Sequence, residues 1–584
     1  MQRRLTMRPL FILLMVLTGL APSSRADGDI RTVALSGQRP PGAGEQESFA
    51  PFFDFDFNNA GQVSFLSGLL GPDIDAQNQF GIWDDSEGSL SLVVRGGQQP
   101  PGAAHAVVLN ALFAPSIDEQ GQTFFAGSMS DPDTNGFIEP GVWGETPLGL
   151  QLFARSGDPV TGLPDGFAFG GFSPEIQPTA QGIAIHAGAH LHGEGSFTTA
   201  GRLNAQGEFD LTVITSDQAP GYPEGATLAR LNYNGARQEP LRFNSRGQAA
   251  FVGTVQYSGD RFPVDFFADR SDQIRPLPGQ DQFSPGDRLP DGLFTNRSGR
   301  LELLARVGDP APGVPGGDEF FHFDERSITL NDDGEIAFVA SLAGTLSIPG
   351  TDPSGVGIWS DAGGGELRLI AQRNTTAPGL PEGTLLSSLG SPSFGAPGQV
   401  YFTSVITGGG YELTDFENGV WVSEDGGDPE LIYFTGDPSL GKLGEFGLEG
   451  VFGFQANALG QMVFRSRLGG PGVDDSNDVV IWARSLDGVL NVIAREGDQI
   501  DVNDDPAIED LRTIDSLLLT RSRFNDRGEF AFTAELTDGT TGLFVSSVVA
   551  IPEPSSSVLA GVALVGLMMS SRSGRQLNRA LPGP

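Results

Sequence analysis

The sequence predicts an all-β fold: an eight-bladed β-propeller of four-stranded antiparallel blades, the last closed by the N-terminal strand. Three observations predict it. A strand-and-turn motif is written eight times along the chain. A second motif, Asn-x-x-Gly, recurs between the copies, with glycines at Gly61, Gly121, Gly182, Gly247, Gly334, Gly398, Gly460 and Gly528. No stretch of the body sustains the 3.6-residue apolar spacing of a helix. Repeats of this length made of short strands are the mark of radially arranged sheets.

The first motif reads LELLARVGDPAPG at Leu301–Gly313. It returns without gaps from Ile30, Leu90, Leu150, Phe209, Leu367, Pro429 and Leu490. Apolar and polar residues alternate and then break into Gly, Asp and Pro, which is a strand running into a tight turn. In the second motif, Asn at the first position and Gly at the fourth suit a hairpin turn that visits positive φ. Four residues after the glycine stand Phe65, Phe125, Phe251, Phe338, Phe402, Phe464 and Phe532, with His186 in the third copy. A third motif is Gly-x-Trp, as at Gly81-Ile82-Trp83 and Gly357-Ile358-Trp359, and its slot holds all five tryptophans of the chain. A slot-bound aromatic reads as core.

The remaining strand of each period, the first of its blade, precedes the Asn-x-x-Gly turn. It alternates, with Phe57, Ile117, Phe243, Leu330, Phe394 and Phe524 directly before the turn and polar residues one place earlier. Closure follows from the two ends of the series. The last period has no Leu-rich strand, and the first begins with an unpaired one, Ile30 to Ser36. Joining them completes an eighth blade and removes two exposed sheet edges. An open solenoid would need capping repeats instead.

Composition agrees with a folded, exported chain. The protein has 584 residues, enough for a large core, and its hydrophobic fraction of 39% is too apolar for an unfolded polymer. Its formal charge of −38 repels phosphate backbones and argues against a nucleic-acid partner. It contains no cysteine, which excludes disulfides, thiolate metal sites and a cysteine nucleophile.

Both ends read as addresses. Arg3, Arg4 and Arg8 precede the apolar run Leu10 to Ala21, and Ser24-Arg25-Ala26 offers small residues for cleavage. Residues 1–26 are therefore expected to be a secretory signal peptide and 27–549 the propeller. In 550–584, Pro552-Glu553-Pro554 is followed by the apolar segment 558–569 and the basic flank 572–579, with Arg572, Arg575 and Arg579. Twelve apolar residues are few for spanning a bilayer, so the tail reads as a short stop segment with a cytoplasmic basic flank.

That order of Pro-Glu-Pro, apolar stretch and arginine cluster resembles the PEP-CTERM sorting signal of exported bacterial proteins. The resemblance implies an exosortase-type peptidase that recognises the tail and releases the body towards the cell surface or extracellular matrix, with transient membrane holding in a Gram-negative-type envelope. The body resembles a family of exported bacterial proteins with tandem Asn-x-x-Gly-x-x-Ala-Phe repeats, matched in full by Asn244 to Phe251, Asn331 to Phe338 and Asn525 to Phe532. That resemblance implies repeats and surface anchoring rather than an activity. The expected partners are signal peptidase, the export machinery and the sorting peptidase, with exopolysaccharide or surface proteins as ligands.

Chemistry is sparse. No Gly-x-Ser-x-Gly elbow and no phosphate-cradling Gly-x-x-x-x-Gly-Lys followed by Ser or Thr occurs. His186, His190, His192 and Glu194 cluster with the parity of one strand face, a metal arrangement that competes with His186 filling the Phe slot. Calcium is the better cation: Asp131, Asp133 and Asn135 alternate before Gly136, and Glu139 closes the set, against the plain reading that exposed turns favour these residues. Related acidic loops hold Asp73 and Asp75, and Asp474, Asp475 and Asp478. If the strand before the Asn turn lines the channel, Asp56, Arg242, Gln455 and Arg523 form an irregular polar ring that is a candidate ligand site. His322, Asp324 and Arg326 share parity nearby, and an insertion spans Gln256 to Pro290. The expected role is structural or adhesive binding of glycan or protein, without an assigned catalytic residue. The alternative is a secreted polysaccharide-cleaving hydrolase or lyase that uses variable channel residues.

Overall fold

A computed structural model describes residues 30–547, apart from 104–106, 132–135, 192–194, 233–240, 258–286, 315, 344–354, 411–416, 436–446 and 504–506. Every regular element among the described residues is a β-strand. Eight separate antiparallel sheets follow one another along the chain, each running first, second, third and fourth strand in order. Blade 1, for example, uses Ser48–Phe57, Val63–Leu70, Phe80–Asp84 and Ser91–Arg95. The protein is an eight-bladed β-propeller.

The eighth blade is closed as the sequence leads one to expect. Its first three strands are Leu511–Phe524, Phe530–Leu536 and Thr541–Ser546. Its fourth is the N-terminal strand Ile30–Leu35, paired from Ile30↔Ser546 to Leu35↔Gly542. Closure hides apolar surface as well as a strand edge. One core cluster joins Phe49, Phe65 and Trp83 of blade 1 to Ala531, Leu543 and Val545 of blade 8. Another joins Val463, Ile481 and Ile493 of blade 7 to Ile514, Phe532 and Phe544 of blade 8. The cores therefore lie between blades, and each sheet is buried on both faces. This explains second strands such as Val63–Leu70, in which seven successive residues are buried.

The three sequence motifs meet in this packing. The Phe after the turn stacks on the Trp of the next strand: ring centroids are 5.7 Å apart for Phe125–Trp143 and 5.6 Å for Phe402–Trp421, with interplanar angles of 14° and 12°. Each such pair adds about 0.5–1.5 kcal/mol beyond its area burial. The indole N–H of Trp83, Trp143, Trp359 and Trp421 donates to Pro41, Pro101, Pro312 and Pro378, the proline carbonyl of the turn that closes the Leu-rich motif. All five tryptophans are fully buried. In blade 7 a valine, Val480, takes the glycine place of Gly-x-Trp, and Trp482 donates to Ser466 Oγ instead.

The first strand is less regular than its alternation suggests. In blades 2 to 6 it breaks into two pieces, such as Val108–Leu112 and Ser116–Ile117. In every blade its register with the second strand slips, for instance between Leu109 and Ala111 and between Phe320 and His322. Bulges bend and twist a strand. The first strand is the innermost, meeting its counterparts in the neighbouring blades, and there the curvature is tightest.

Candidate functional site

The inner wall starts from the Asn-x-x-Gly turns. Asn58 Oδ1 accepts the N–H groups of Ala60 and Gln62, which holds the turn, and Gly61 sits at φ +81°. The same side chain's Nδ2 donates to the carbonyl of Asp118, the equivalent residue of the next blade, at 2.7 Å. Asn244 donates likewise to Asn331 O, Asn457 to Asn525 O, and Asn525 across the closure to Asn58 O. A side chain with both an acceptor and a donor is needed for the two tasks, which is why Asn occupies the slot.

One or two places before the turn, the polar residues of the predicted ring bridge blades. Asp56 Oδ2 accepts the N–H of Ile117 at 3.1 Å, and its Oδ1 pairs with Arg523 Nε at 3.3 Å. Ser116 Oγ donates to Ile176 O. Gln177 donates to Leu241 O and accepts from Phe243 N. Of the four ring residues read from sequence, the structure thus brings Asp56 and Arg523 together across the closing seam. Arg242 and Gln455, both part-exposed, lie on the first strands of blades 4 and 7.

Further up the same strands stand residues that the period did not single out. The fourth residue after Phe49, Leu109 and Ile514, each paired eight residues past its turn glycine, is Phe53, Phe113 and Leu518. Phe452 holds that position in blade 7, four residues after Leu448. All four are exposed, and Phe53 lies edge-on to Phe80 with centroids 5.6 Å apart. By the same count blades 3 to 6 carry Phe172, Asn232, Asp324 and Gly390 there.

Blade 5 adds the other variable group. Phe321 and His322 are exposed at the bulge, and Glu325 is buried in the turn that follows. Burial pushes the Glu325 carboxyl up, while His322 pulls it down. A second carboxyl lies between blades 1 and 2. Thr123 donates its N–H to Glu145 Oε2 and its hydroxyl to Asp84 Oδ2, both at 3.1 Å. Burial and the adjacent Asp84 push Glu145 up to about 8. In the matching place of blades 1 and 5, Asp85 and Asp361 instead face Arg31 and Arg297.

The predicted cation sites fare differently. Asp131 and Glu139 are in the strands Thr123–Asp131 and Gly136–Thr146, whereas Asp133 and Asn135 lie outside the described residues. In the related loops, Asp75 Oδ1 caps Gln77 and Asn78, and Asp474 Oδ1 caps Ser476, as ordinary turn aspartates do. His186 is buried in the Phe slot and desolvation pushes it down to about 4. His190 is exposed and bonded to Ser196, and His192 and Glu194 lie outside the described residues. No group of three or more His, Asp or Glu side chains fit to hold a metal occurs among the described residues.

No curated protein sequence matches the chain. A family model described as a family of unknown function (DUF7453) matches residues 17–201, 179–440 and 291–558. Among solved structures, the chain is similar to the Pyrococcus horikoshii acylaminoacyl peptidase at 11% identity and a TM-score of 0.33, covering 83% of this chain and 58% of that one. It is similar to the polysaccharide lyase Uly1 at 10% identity and 0.31, covering 86% and 99%. A Trypanosoma rangeli sialidase matches at 9% and 0.25, covering 75% and 62%. The chain therefore spans only 58% of the length of the peptidase, and likenesses of this size bring no activity with them.

Proposed function

Because the chain belongs to this family of unknown function, we propose its role from its own geometry: an exported, surface- or matrix-associated propeller that binds a glycan or protein ligand in a structural or adhesive task. The observation that carries the reading is the use of the inner wall. Asp56, Ser116, Gln177 and Arg523 are engaged in blade-to-blade contacts, and the side chains left exposed on the first strands differ from blade to blade. A wall of that kind is a rigid frame carrying a variable surface. Export rests on the arginine-led apolar run of residues 1–26, and sorting on Pro552-Glu553-Pro554 with Arg572 and Arg575, all outside the described residues. An exosortase-type peptidase and signal peptidase are the partners this implies.

The binding reading is tested by presenting the purified protein with a glycan array while assaying for released oligosaccharide. Binding without product is expected; product would replace the reading with a polysaccharide-cleaving enzyme. One observation favours that second reading, the exposed His322 near the buried Glu325, whose carboxyl burial pushes up, and loss of product in His322→Ala would place the chemistry there. Intact-mass measurement of the exported protein tests sorting. Loss of the residues beyond Pro554 is expected, and a full-length C-terminus removes the peptidase from the scheme.

A further inference from the structure

One residue from each strand of a blade lines up across the sheet and faces the following blade. In blade 5 this row is Thr329, Ala337, Ser360 and Arg368. In blade 8 it is Arg523, Ala531, Val545 and Arg31. Its second-strand member shares a buried cluster with the residue two places after the next blade's turn glycine. Ala250 lies with Ile336 in this way, Ala337 with Val400, and Ala531 with Val63. Blade 1 departs from the pattern. Its row is Asp56, Ser64, Asp84 and Ser91, polar through all four strands. The place facing Ser64 in blade 2 holds Thr123, and both hydroxyl residues are fully buried.

Two carboxyls meet at the same seam. The Ser86 hydroxyl holds Asp84 Oδ1 at 2.8 Å, and Oδ2 reaches blade 2, where the Thr123 hydroxyl donates to it at 3.1 Å. Glu145 accepts the Thr123 N–H and is hydrogen-bonded to Asp84. The matching carboxylates Asp85 and Asp361 face Arg31 and Arg297. Asp84 and Glu145 bond instead to Ser86, Ser91, Thr123 and each other. Beside them, Ser64 Oγ is buried without a hydrogen-bond partner. Ser64 stands directly opposite Asp84 in the sheet register, so their side chains share a face about 5 Å apart at Cβ. Alanine fills the Ser64 place in blades 4, 5 and 8, so packing does not call for the hydroxyl. A buried hydroxyl left unbonded is costly, and its free lone pairs are what a cation takes.

We propose that the seam between blades 1 and 2 is a calcium site, with Asp84 Oδ2, the Glu145 carboxylate and the hydroxyl oxygens of Thr123 and Ser64 as its protein ligands. All four supply oxygen, the donor of a hard cation, and two carboxylates match a divalent charge. Thr123 spends its proton on Asp84 and keeps its lone pairs for the ion. Calcium accepts about six to eight ligands in irregular geometry, with water completing the set, whereas magnesium demands a near-ideal octahedron. The ion would do at this seam what Arg31 does for Asp85 at the closing one. The site is separate from the acidic loops, where Asp75 and Asp474 cap their own turns. It is independent of any ligand on the inner wall.

The test is equilibrium dialysis of the full-length protein, stripped with chelator, against radioactive calcium. The parent is expected to bind one more calcium than Glu145→Gln, with a dissociation constant on the order of 10⁻⁴ M. Ser64→Ala, which installs the residue of three other blades, should weaken that calcium about tenfold and leave the chelated melting temperature in place. Added calcium should raise the melting temperature of the parent more than that of Glu145→Gln. Equal calcium counts in parent and Glu145→Gln overturn the site, even if the acidic loops bind the ion. An affinity unchanged in Ser64→Ala overturns the ligand set. Displacement of this calcium by an equal concentration of magnesium overturns the choice of ion.

Discussion

A methyl group on Gly81, Gly141, Gly357 or Gly419 would lie 2.3–2.6 Å from the indole of the tryptophan two residues on, closer than carbon atoms approach. The Gly-x-Trp motif is therefore a ring folded back over its own strand, and the glycine is the space it occupies. Gly357→Ala should cost about 1–3 kcal/mol through overpacking, read as a lower urea midpoint at unchanged slope. Glu145 makes a different prediction. Its folded pKa, about 8, exceeds the ordinary 4.5, so the folded protein holds a proton that the unfolded chain releases. Stability from this group is whole below pH 4.5 and drains away as pH rises to about 8. Glu145→Gln should flatten the fall in melting temperature across that window; a parallel decline in both proteins would show that the carboxyl pair is not its source. The Phe and Trp slots were legible from spacing alone. The pairing of Glu145 with Asp84 was not, because the two meet only across a blade seam.

Among the elements, the N-terminal strand has the largest consequence. Ile30–Leu35 covers the edge of Thr541–Ser546 and completes the seam that buries Leu543 and Val545. Deleting residues 30–35 from the exported protein should open the ring and expose a sheet edge, which invites pairing between molecules. Concentration-dependent association in sedimentation is expected, and a monomer with an unchanged melt would mean that the ring holds without it. Repeat counting revealed this strand, since a fourth strand was missing at one end and spare at the other. The breaks and bulges of the first strands were hidden. They answer to curvature at the axis, which no single repeat encodes, and they set which side chains remain exposed there.

For the whole molecule, the charge of −38 spread over eight blades is a self-repulsion that salt relieves. The melting temperature should rise on going from low salt to about 0.5 M sodium chloride, where the Debye length is well under 10 Å; a falling melt would mean that ion pairs such as Arg95–Glu47 outweigh the repulsion. Blade number, strand order, closure and the buried aromatics were all determined by the sequence alone. They depend on periodic local patterns, and each period carries the whole pattern of one blade. What only the tertiary structure decided is which residues of different blades meet. Closing the ring converts Asp56 and Arg523, 467 positions apart, into a pair. Contacts between repeats depend on the angle at which sheets pack around an axis, and that angle is a property of the closed ring.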